Sequence, residues 1–225
     1  MTVYLKLAER AAAASYLYHT VLLLDVSGSM EQGDWPPSRL AGAVQAANRL
    51  IDVKVSKYPD DQIGIVTFSN IALVRHAVAP VRHNATSLRD SLTQIGTGSC
   101  TALTDGLITA VTQLSEGLAR PVSSSTGVGG ACAGGITEPL RQIIVLTDGE
   151  HNEGPDPVPY AMEAKRAGFV FDVVGIGTPA ALNQTCLKAI ASPRLDGSPR
   201  YCFIGDAQEL AGKLSELAHH YIQPM

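Results

Sequence analysis

The fold of this chain is decided by the stretch Val21-Leu22-Leu23-Leu24-Asp25-Val26-Ser27-Gly28-Ser29-Met30, an apolar run that ends in one carboxylate and two hydroxyls at alternate positions. Such a continuous apolar run is typical of a parallel strand buried on both faces. An Asp at the carboxyl end of that strand lies where α/β sheets place their ligands. Side chains that offer only oxygen suit Mg²⁺ or Mn²⁺ better than zinc or copper. The stretch therefore predicts a buried strand that ends at a site for a hard cation.

Two later stretches carry related features. Gly98-Ser99-Cys100-Thr101-Ala102-Leu103-Thr104-Asp105-Gly106-Leu107 places a threonine in a short polar loop just before a helical pattern. Ile143-Ile144-Val145-Leu146-Thr147-Asp148-Gly149-Glu150 is a second apolar run that ends in Asp. Alone, the first motif also suits a strand-to-helix turn with a capping serine, and Asp-Gly is an ordinary turn dipeptide. Their joint order, each at a predicted strand end or loop, favours one shared site.

These segments resemble the D-x-S-x-S, Thr and Asp elements of a von Willebrand factor type A domain, of the compact kind found in bacteria. In that family the elements form the metal-ion-dependent adhesion site. The resemblance implies that the hydroxyl oxygens of Ser27, Ser29 and Thr101 bind the metal. It also implies that Asp25 and Asp148 bind the metal directly or through ordered water, with one coordination position left for a partner.

The function that this resemblance implies is metal-dependent protein binding without catalysis. A divalent ion held largely by neutral hydroxyls stays electrophilic, so it attracts a carboxylate from outside the site. The expected cofactor is Mg²⁺ or Mn²⁺, with Ca²⁺ as a further option. The expected partner is a protein that presents an Asp or Glu, and the oligomeric state is left open.

Two other classes of function compete with this interpretation. In a Mg²⁺-dependent phosphohydrolase of the haloacid-dehalogenase type, Asp25 would attack phosphorus, but that chemistry needs a second carboxylate where this chain has Ser27. A structural assembly protein would use the metal only to stiffen its loops. It would show metal-dependent melting without metal-dependent capture of a partner.

The loops beside the predicted site supply candidate rim residues. Trp35 follows the first motif, and Glu150 and His151 follow the third. An aromatic side chain beside an open metal position could anchor a partner. Packing of Trp35 against its own loop is an equally good interpretation, and an exposed loop histidine is usually just solvated.

Composition and charge agree with one globular domain. The 225 residues are 45% hydrophobic and 17% charged, with a formal net charge of −4 and no dense Lys/Arg cluster. Nucleic acid is therefore not an expected partner. The sequence has neither an apolar stretch of the roughly 20 residues that span a bilayer nor a typical signal peptide, which favours a cytoplasmic location and leaves an extracellular one open. We expect an N-terminal extension over 1–18, one domain over 19–225 and a flexible Gly/Ser-rich insertion over 122–138.

Apolar periodicity predicts alternating strands and helices. Predicted strands cover Val21 to Asp25, Gln62 to Phe68, Ile71 to Val78, Arg141 to Thr147, Phe169 to Ile176 and Arg200 to Ile204. Predicted helices cover Arg39 to Lys57, Thr86 to Ile95, Ala102 to Glu116, Val158 to Ala167, Ala180 to Ala191 and Ala207 to Tyr221. The turn Ser69-Asn70 is too short for a crossover, so the strand after it must be antiparallel and at an edge. The expected fold is α/β: a three-layer, doubly wound, Rossmann-like sheet of about six strands, mostly parallel.

The cysteines leave the redox compartment open. No C-x-x-C pair occurs, which argues against zinc and thioredoxin chemistry. A disulfide between Cys186 and Cys202 is one option, and two buried free thiols are the preferred one. Cys100 adjoins Thr101 and is either a redox-sensitive group or a small residue that fills a tight loop.

Overall fold

The computed structural model describes residues 17–118, 138–149 and 151–219. Its centre is β1, whose residues are buried along the whole strand. The strands are β1 (Tyr18–Asp25), β2 (Gln62–Phe68), β3 (Ala72–Pro80), β4 (Leu140–Thr147), β5 (Phe169–Ile176) and β6 (Tyr201–Ile204). They form one sheet in the order β3-β2-β1-β4-β5-β6, in which all neighbours are parallel except β2 and β3. The predicted six-stranded mixed sheet with an antiparallel edge is confirmed.

Helices cover both faces of the sheet. They are α1 (Arg39–Lys57), α2 (Val81–Ser91), α3 (Leu103–Leu118), α4 (Pro157–Arg166), α5 (Gln184–Ile190) and α6 (Ala207–Leu217), with short 3₁₀ helices at Gly28–Glu31 and Pro179–Ala181. Alternate residues of β1 enter two separate cores. Leu22 and Leu24 pack with α1, α2 and α6, whereas Val21 and Leu23 pack with α3, α4 and α5. This period of two over a strand buried on both faces produces the three predicted layers.

Three helices differ from their predicted bounds. The terminal helix, predicted to end at Tyr221, already ends at Leu217. The helix predicted over Thr86 to Ile95 is α2, which begins directly after Pro80, ends at Ser91 and buries Val81 and Leu88. The helix predicted over Ala180 to Ala191 is divided into a 3₁₀ turn and α5. The division arises because the Asn183 side chain accepts a hydrogen bond from the backbone of Cys186 and so starts a new helix.

Several predictions from the sequence concern residues outside the described ranges or features other than the sheet and helices. Most of the predicted extension, nearly all of the insertion and residues 220–221 of the predicted terminal helix lie outside the described residues. Within the described ranges, no helix combines the length and the apolar composition that a bilayer crossing requires. Cys100, Cys186 and Cys202 are free thiols, so the option of a disulfide between the last two is not realised.

Candidate metal centre

The first predicted ligand, Asp25, lies at the carboxyl end of β1 and is fully buried. One carboxylate oxygen, Oδ1, accepts a hydrogen bond of 2.8 Å from the backbone N–H of Ser27. The other oxygen, Oδ2, accepts one of 2.6 Å from the hydroxyl of Thr147, at the end of the neighbouring strand β4. The carboxylate orientation is therefore fixed from two elements.

Of the two serines of the first motif, Ser27 directly precedes the 3₁₀ turn that follows β1 and Ser29 lies within it. Their hydroxyl oxygens, Ser27 Oγ and Ser29 Oγ, are 3.0 Å apart. Ser29 Oγ also donates a hydrogen bond of 2.7 Å to Oδ1 of Asp148, which follows β4. These contacts join the first and third predicted motifs, which lie 119 positions apart in the chain.

Thr101 lies in the loop before α3 and is buried. Its backbone N–H donates to the side-chain oxygen of Asn152 at 2.8 Å, and the Asn152 N–H donates back to its carbonyl at 3.3 Å. A Cβ atom placed on Gly149 would lie 3.7 Å from the Thr101 hydroxyl oxygen and 3.8 Å from that of Ser29. Both hydroxyls therefore border the same small space beside Asp148, and the second motif joins the other two.

The electrostatics of this oxygen cluster fit a hard cation. Burial raises the pKa of Asp25 to about 6, against the smaller lowering effect of its hydrogen bonds from Thr147 and Ser27. The Asp148 carboxylate adds a further raising effect on the same pKa. Among the described residues, no group of three or more His, Cys, Asp or Glu side chains is placed to hold a metal. An ion here would depend on hydroxyl oxygens as well as carboxylates, which is a donor set for Mg²⁺ or Mn²⁺.

The structure adds a residue that the sequence analysis did not connect to the site. Arg39, the first residue of α1, is buried and donates from Nη1 to Oδ2 of Asp148 at 2.8 Å. Its Nη2 and Nε donate to the carboxylate of Asp34 at 2.6 to 3.1 Å. No spacing rule in the sequence links these three residues, because they are brought together only by the fold.

The three candidate rim residues have different environments. Trp35 is only 4% exposed and belongs to the core between α1 and the sheet, where its ring lies against Gly42. Trp35 thus packs in the core against α1, and not against its own loop as the alternative interpretation had it. His151 is half-buried, with Nε2 at 3.3 Å from the carbonyl oxygen of Gly154. Glu150 lies outside the described residues.

The sequence of the chain matches the model of a known family. A model described as the von Willebrand factor type A domain matches residues 20–151, more than half of the chain. The chain belongs to the von Willebrand factor type A domain family. Type A domains are generally protein-interaction modules without catalytic activity. The predicted family is thus confirmed, whereas metal binding at the five predicted ligands stays a prediction.

Similar proteins and structures agree with a type A domain. A UPF0353 protein of Mycolicibacterium paratuberculosis is 27% identical over 165 residues, which are 71% of this chain and 44% of that protein. The chain thus spans less than half the length of the curated relatives it matches. Among solved structures, the conserved hypothetical protein BatB from Bacteroides thetaiotaomicron superimposes with a TM-score of 0.63 at 22% identity, covering 89% of this chain and 98% of that one.

A mussel protein has the same fold. Proximal thread matrix protein 1 from the mussel byssus, with a zinc-occupied MIDAS motif, superimposes with a TM-score of 0.65 at 20% identity, covering 91% of this chain and 47% of that one. The likeness to both solved structures concerns the fold. Together with the family match, it shows that the carboxyl ends of β1 and β4, where Asp25 and Asp148 lie, are part of a type A domain.

Proposed function

We propose that this type A domain is a protein-binding module in which a divalent cation coordinates an Asp or Glu of a partner protein. The observation that carries the proposal is the hydrogen-bonded series Ser27 to Ser29 to Asp148, which joins two distant motifs around one small space. The Thr101 hydroxyl borders the same space. Five oxygen-bearing side chains of the types that the family motif requires are thus neighbours.

Each of these side chains has a role in the proposed site. Ser27, Ser29 and Thr101 offer neutral hydroxyl oxygens, whereas Asp25 and Asp148 offer negative charge. When bound, the metal supplies a positive charge that is incompletely neutralised and so attracts a carboxylate of the partner. The chain itself orients the Asp25 carboxylate, because both of its oxygens accept hydrogen bonds.

We propose Mg²⁺ or Mn²⁺ as the resident ion, with Ca²⁺ as an alternative. The donors in the cluster are all oxygen atoms, and hard divalent ions prefer such donors. The zinc in the mussel neighbour shows that the ion can differ in another member of the fold. Half-buried His151 lies three positions after Asp148 and is the described rim residue that we expect a partner to touch.

We propose a non-catalytic role, which the same geometry supports. In a phosphohydrolase the Asp25 carboxylate would have to reach a substrate, but the side chain is buried and both of its oxygens accept hydrogen bonds. The position of a second acidic residue is occupied by Ser27. We therefore expect no Mg²⁺-dependent hydrolysis of a general phosphatase substrate.

Capture of proteins on the immobilised chain tests the proposed function. Proteins retained in millimolar Mg²⁺ should be released by chelator, and the double variant Ser27→Ala/Ser29→Ala should retain none of them. Ser115→Ala is the matched control, because that serine is exposed on α3 and its hydroxyl donates to the carbonyl of Val111, away from the metal centre. Equal capture in chelator, or by the double variant, would show that binding does not pass through a metal.

Titration calorimetry with MgCl₂ and MnCl₂ separates the metal from the partner. The unmodified chain and Ser115→Ala should take up the ion, and the double variant should not. Metal uptake and metal-dependent melting without any metal-dependent capture would favour the structural assembly protein instead.

A further inference from the structure

The guanidinium of Arg39 already provides a positive charge inside the oxygen cluster. It lies between two carboxylates, with Nη1 2.8 Å from Oδ2 of Asp148 and Nη2 2.6 Å from Oδ2 of Asp34. Arg39 and Asp148 are buried, whereas the Asp34 side chain is 38% exposed. A charged group taken out of water in this way interacts strongly with its neighbours, because little solvent screens it.

The fold holds the guanidinium in this position. Gly177 after β5 has φ +95°, and a Cβ atom there would lie 2.6 Å from Cζ of Arg39. The backbone at Gly177 thus packs directly on the guanidinium. Ser38 caps the start of α1 by accepting a hydrogen bond from the N–H of Ala41, which fixes the main chain beside Arg39. The arginine is a built part of the site and not a mobile surface side chain.

We propose that Arg39 acts as a resident cation that shares Asp148 with the divalent ion and thereby lowers the affinity of the site for that ion. The inference rests on the proposed function, since it concerns the same metal. The divalent ion and the guanidinium are both positive and repel each other. Because Arg39 already partly neutralises the negative charge of Asp148, that carboxylate also attracts the ion less strongly. The same contact keeps Asp148 paired in the metal-free protein, where an unpaired buried carboxylate would destabilise the fold.

Asp34 sets how strongly Arg39 acts on Asp148. Two nitrogens of the guanidinium face Asp34 and a third faces Asp148. The negative charge of Asp34 offsets the positive charge of Arg39, so less of that charge is felt at the metal position. Removal of the two charges must therefore change the metal affinity in opposite directions, which a purely positional role of either residue does not predict.

The test is calorimetric titration of Mg²⁺ and Mn²⁺ into matched variants. Arg39→Met removes the positive charge with a side chain of similar length, and because the repulsion of the ion is lost we expect it to bind the metal on the order of tenfold more tightly. Asp34→Asn keeps an acceptor for Arg39 but removes the negative charge, and we expect severalfold weaker binding. The controls are Arg89→Met and Asp52→Asn, which break a surface pair whose side chains are 38% and 51% exposed. Both controls should bind like the unmodified chain.

Melting in chelator gives a second readout that involves no partner. Arg39→Met should melt at a lower temperature than the unmodified chain without metal, and Mg²⁺ should raise its melting temperature by a larger amount. This difference is expected because the bound ion takes the place of the positive charge of Arg39 beside Asp148. A variant with only a packing defect would melt lower in chelator but gain no more from Mg²⁺ than the unmodified chain.

The outcomes separate this inference from the proposed function. Metal uptake by the unmodified chain, with equal or weaker uptake by Arg39→Met, overturns the role of Arg39 and leaves the proposed function intact. If Arg39→Met takes up the ion and the unmodified chain does not, the role of Arg39 is supported and the proposed function is overturned. If neither binds the ion, both fall. If Arg39→Met does not fold, Asp34→Asn decides: weaker binding supports the role, and unchanged or tighter binding overturns it.

Discussion

The hydroxyl of Thr147 donates a hydrogen bond of 2.6 Å to Oδ2 of Asp25, across the two central strands of the sheet. The parallel register that pairs Leu24 with Leu146 brings the ends of β1 and β4 side by side. Because the N–H of Ser27 binds the other oxygen, Asp25 is oriented by groups from two strand ends before any ligand arrives. Thr147 thus acts on the candidate metal centre through Asp25.

Replacement of Thr147 by Val should weaken metal binding without removing a ligand. The loss of the donor leaves one oxygen of a buried carboxylate without its hydrogen bond, which favours the protonated form and costs about 1 to 3 kcal/mol of stability. Loss of a group that orients a ligand typically weakens metal affinity on the order of 10-fold to 100-fold. Calorimetric titration with Mg²⁺ and urea denaturation in chelator measure the two effects.

Thr20→Val is the matched control for this variant. Thr20 is also a buried strand threonine, but it lies on β1, and its hydroxyl donates to the side-chain oxygen of Gln142 at the opposite end of the strands, at 3.1 Å. It should lose stability while its metal affinity stays unchanged. Equal loss of metal affinity in both variants would mean that general destabilisation, and not the contact with Asp25, explains the result.

The pH dependence of metal binding should follow Asp25. Burial raises the pKa of this carboxylate from 3.8 to about 6 in the metal-free fold. Because the metal requires the ionised form, its affinity should decrease roughly tenfold for each pH unit below the pKa. At about pH 5.5, titrations in two buffers of different ionisation enthalpy should reveal proton release, whereas at about pH 7.5 they should agree. An affinity that is constant between these two pH values would contradict the role of Asp25.

The same pKa shift has a defined sign for stability. The folded-state pKa is raised above the unfolded value, so folding favours the protonated form of Asp25. Its contribution to the free energy of unfolding is fully present below about pH 4 and is lost as the pH rises to about 6. In chelator, Asp25→Asn should remove this part of the pH dependence, because the amide does not ionise in that range.

The sequence was sufficient to predict the sheet and the strand ends that carry the site. A run such as Leu22 to Leu24 is apolar on both faces, and few arrangements other than a central parallel strand bury it. The short Ser69-Asn70 link likewise required the antiparallel edge pair of β2 and β3. The fold class and the antiparallel edge depend on such local patterns, which a single sequence displays directly.

The polar contacts around the site could not be predicted in the same way. Arg39 was part of a predicted helix, yet its partners Asp34 and Asp148 lie 5 and 109 positions away. Thr147 was recognised only as the end of a strand. A buried ion pair or hydrogen bond of this kind depends on tertiary placement, which apolar periodicity does not encode. Trp35 illustrates the same limit, because a loop position did not reveal that its ring enters the core.

Gly177→Ala should disturb the metal centre through Arg39. The glycine has φ +95°, which strains any residue with a Cβ atom, and the added methyl would lie 2.6 Å from Cζ of Arg39. The positive φ alone costs about 1 to 2 kcal/mol. The forced movement of the guanidinium should add to this loss and alter the Mg²⁺ affinity, which urea denaturation and calorimetry would measure.

Gly197→Ala separates strain from contact. Gly197 also has a positive φ, +79°, but a Cβ atom there would meet nothing within 4 Å. It should lose about 1 to 2 kcal/mol and bind Mg²⁺ normally. If Gly177→Ala lost no more stability than this control and kept its metal affinity, close packing of Gly177 against Arg39 would not matter to the site.

Lys54→Met should destabilise the fold strongly at the end of the sheet away from the site. Lys54 Nζ lies 2.6 Å from Oδ2 of Asp61, and both side chains are buried. Removal of the lysine breaks this buried ion pair, a change that costs about 3 to 5 kcal/mol. The exposed pair of Arg82 and Asp60 is the control, because Arg82→Met should cost about 1 kcal/mol or less. Urea denaturation measures both, and Lys54→Met/Asp61→Asn should regain part of the loss. A double variant that is no more stable than Lys54→Met would attribute the loss to packing of the lysine stem and not to the broken ion pair.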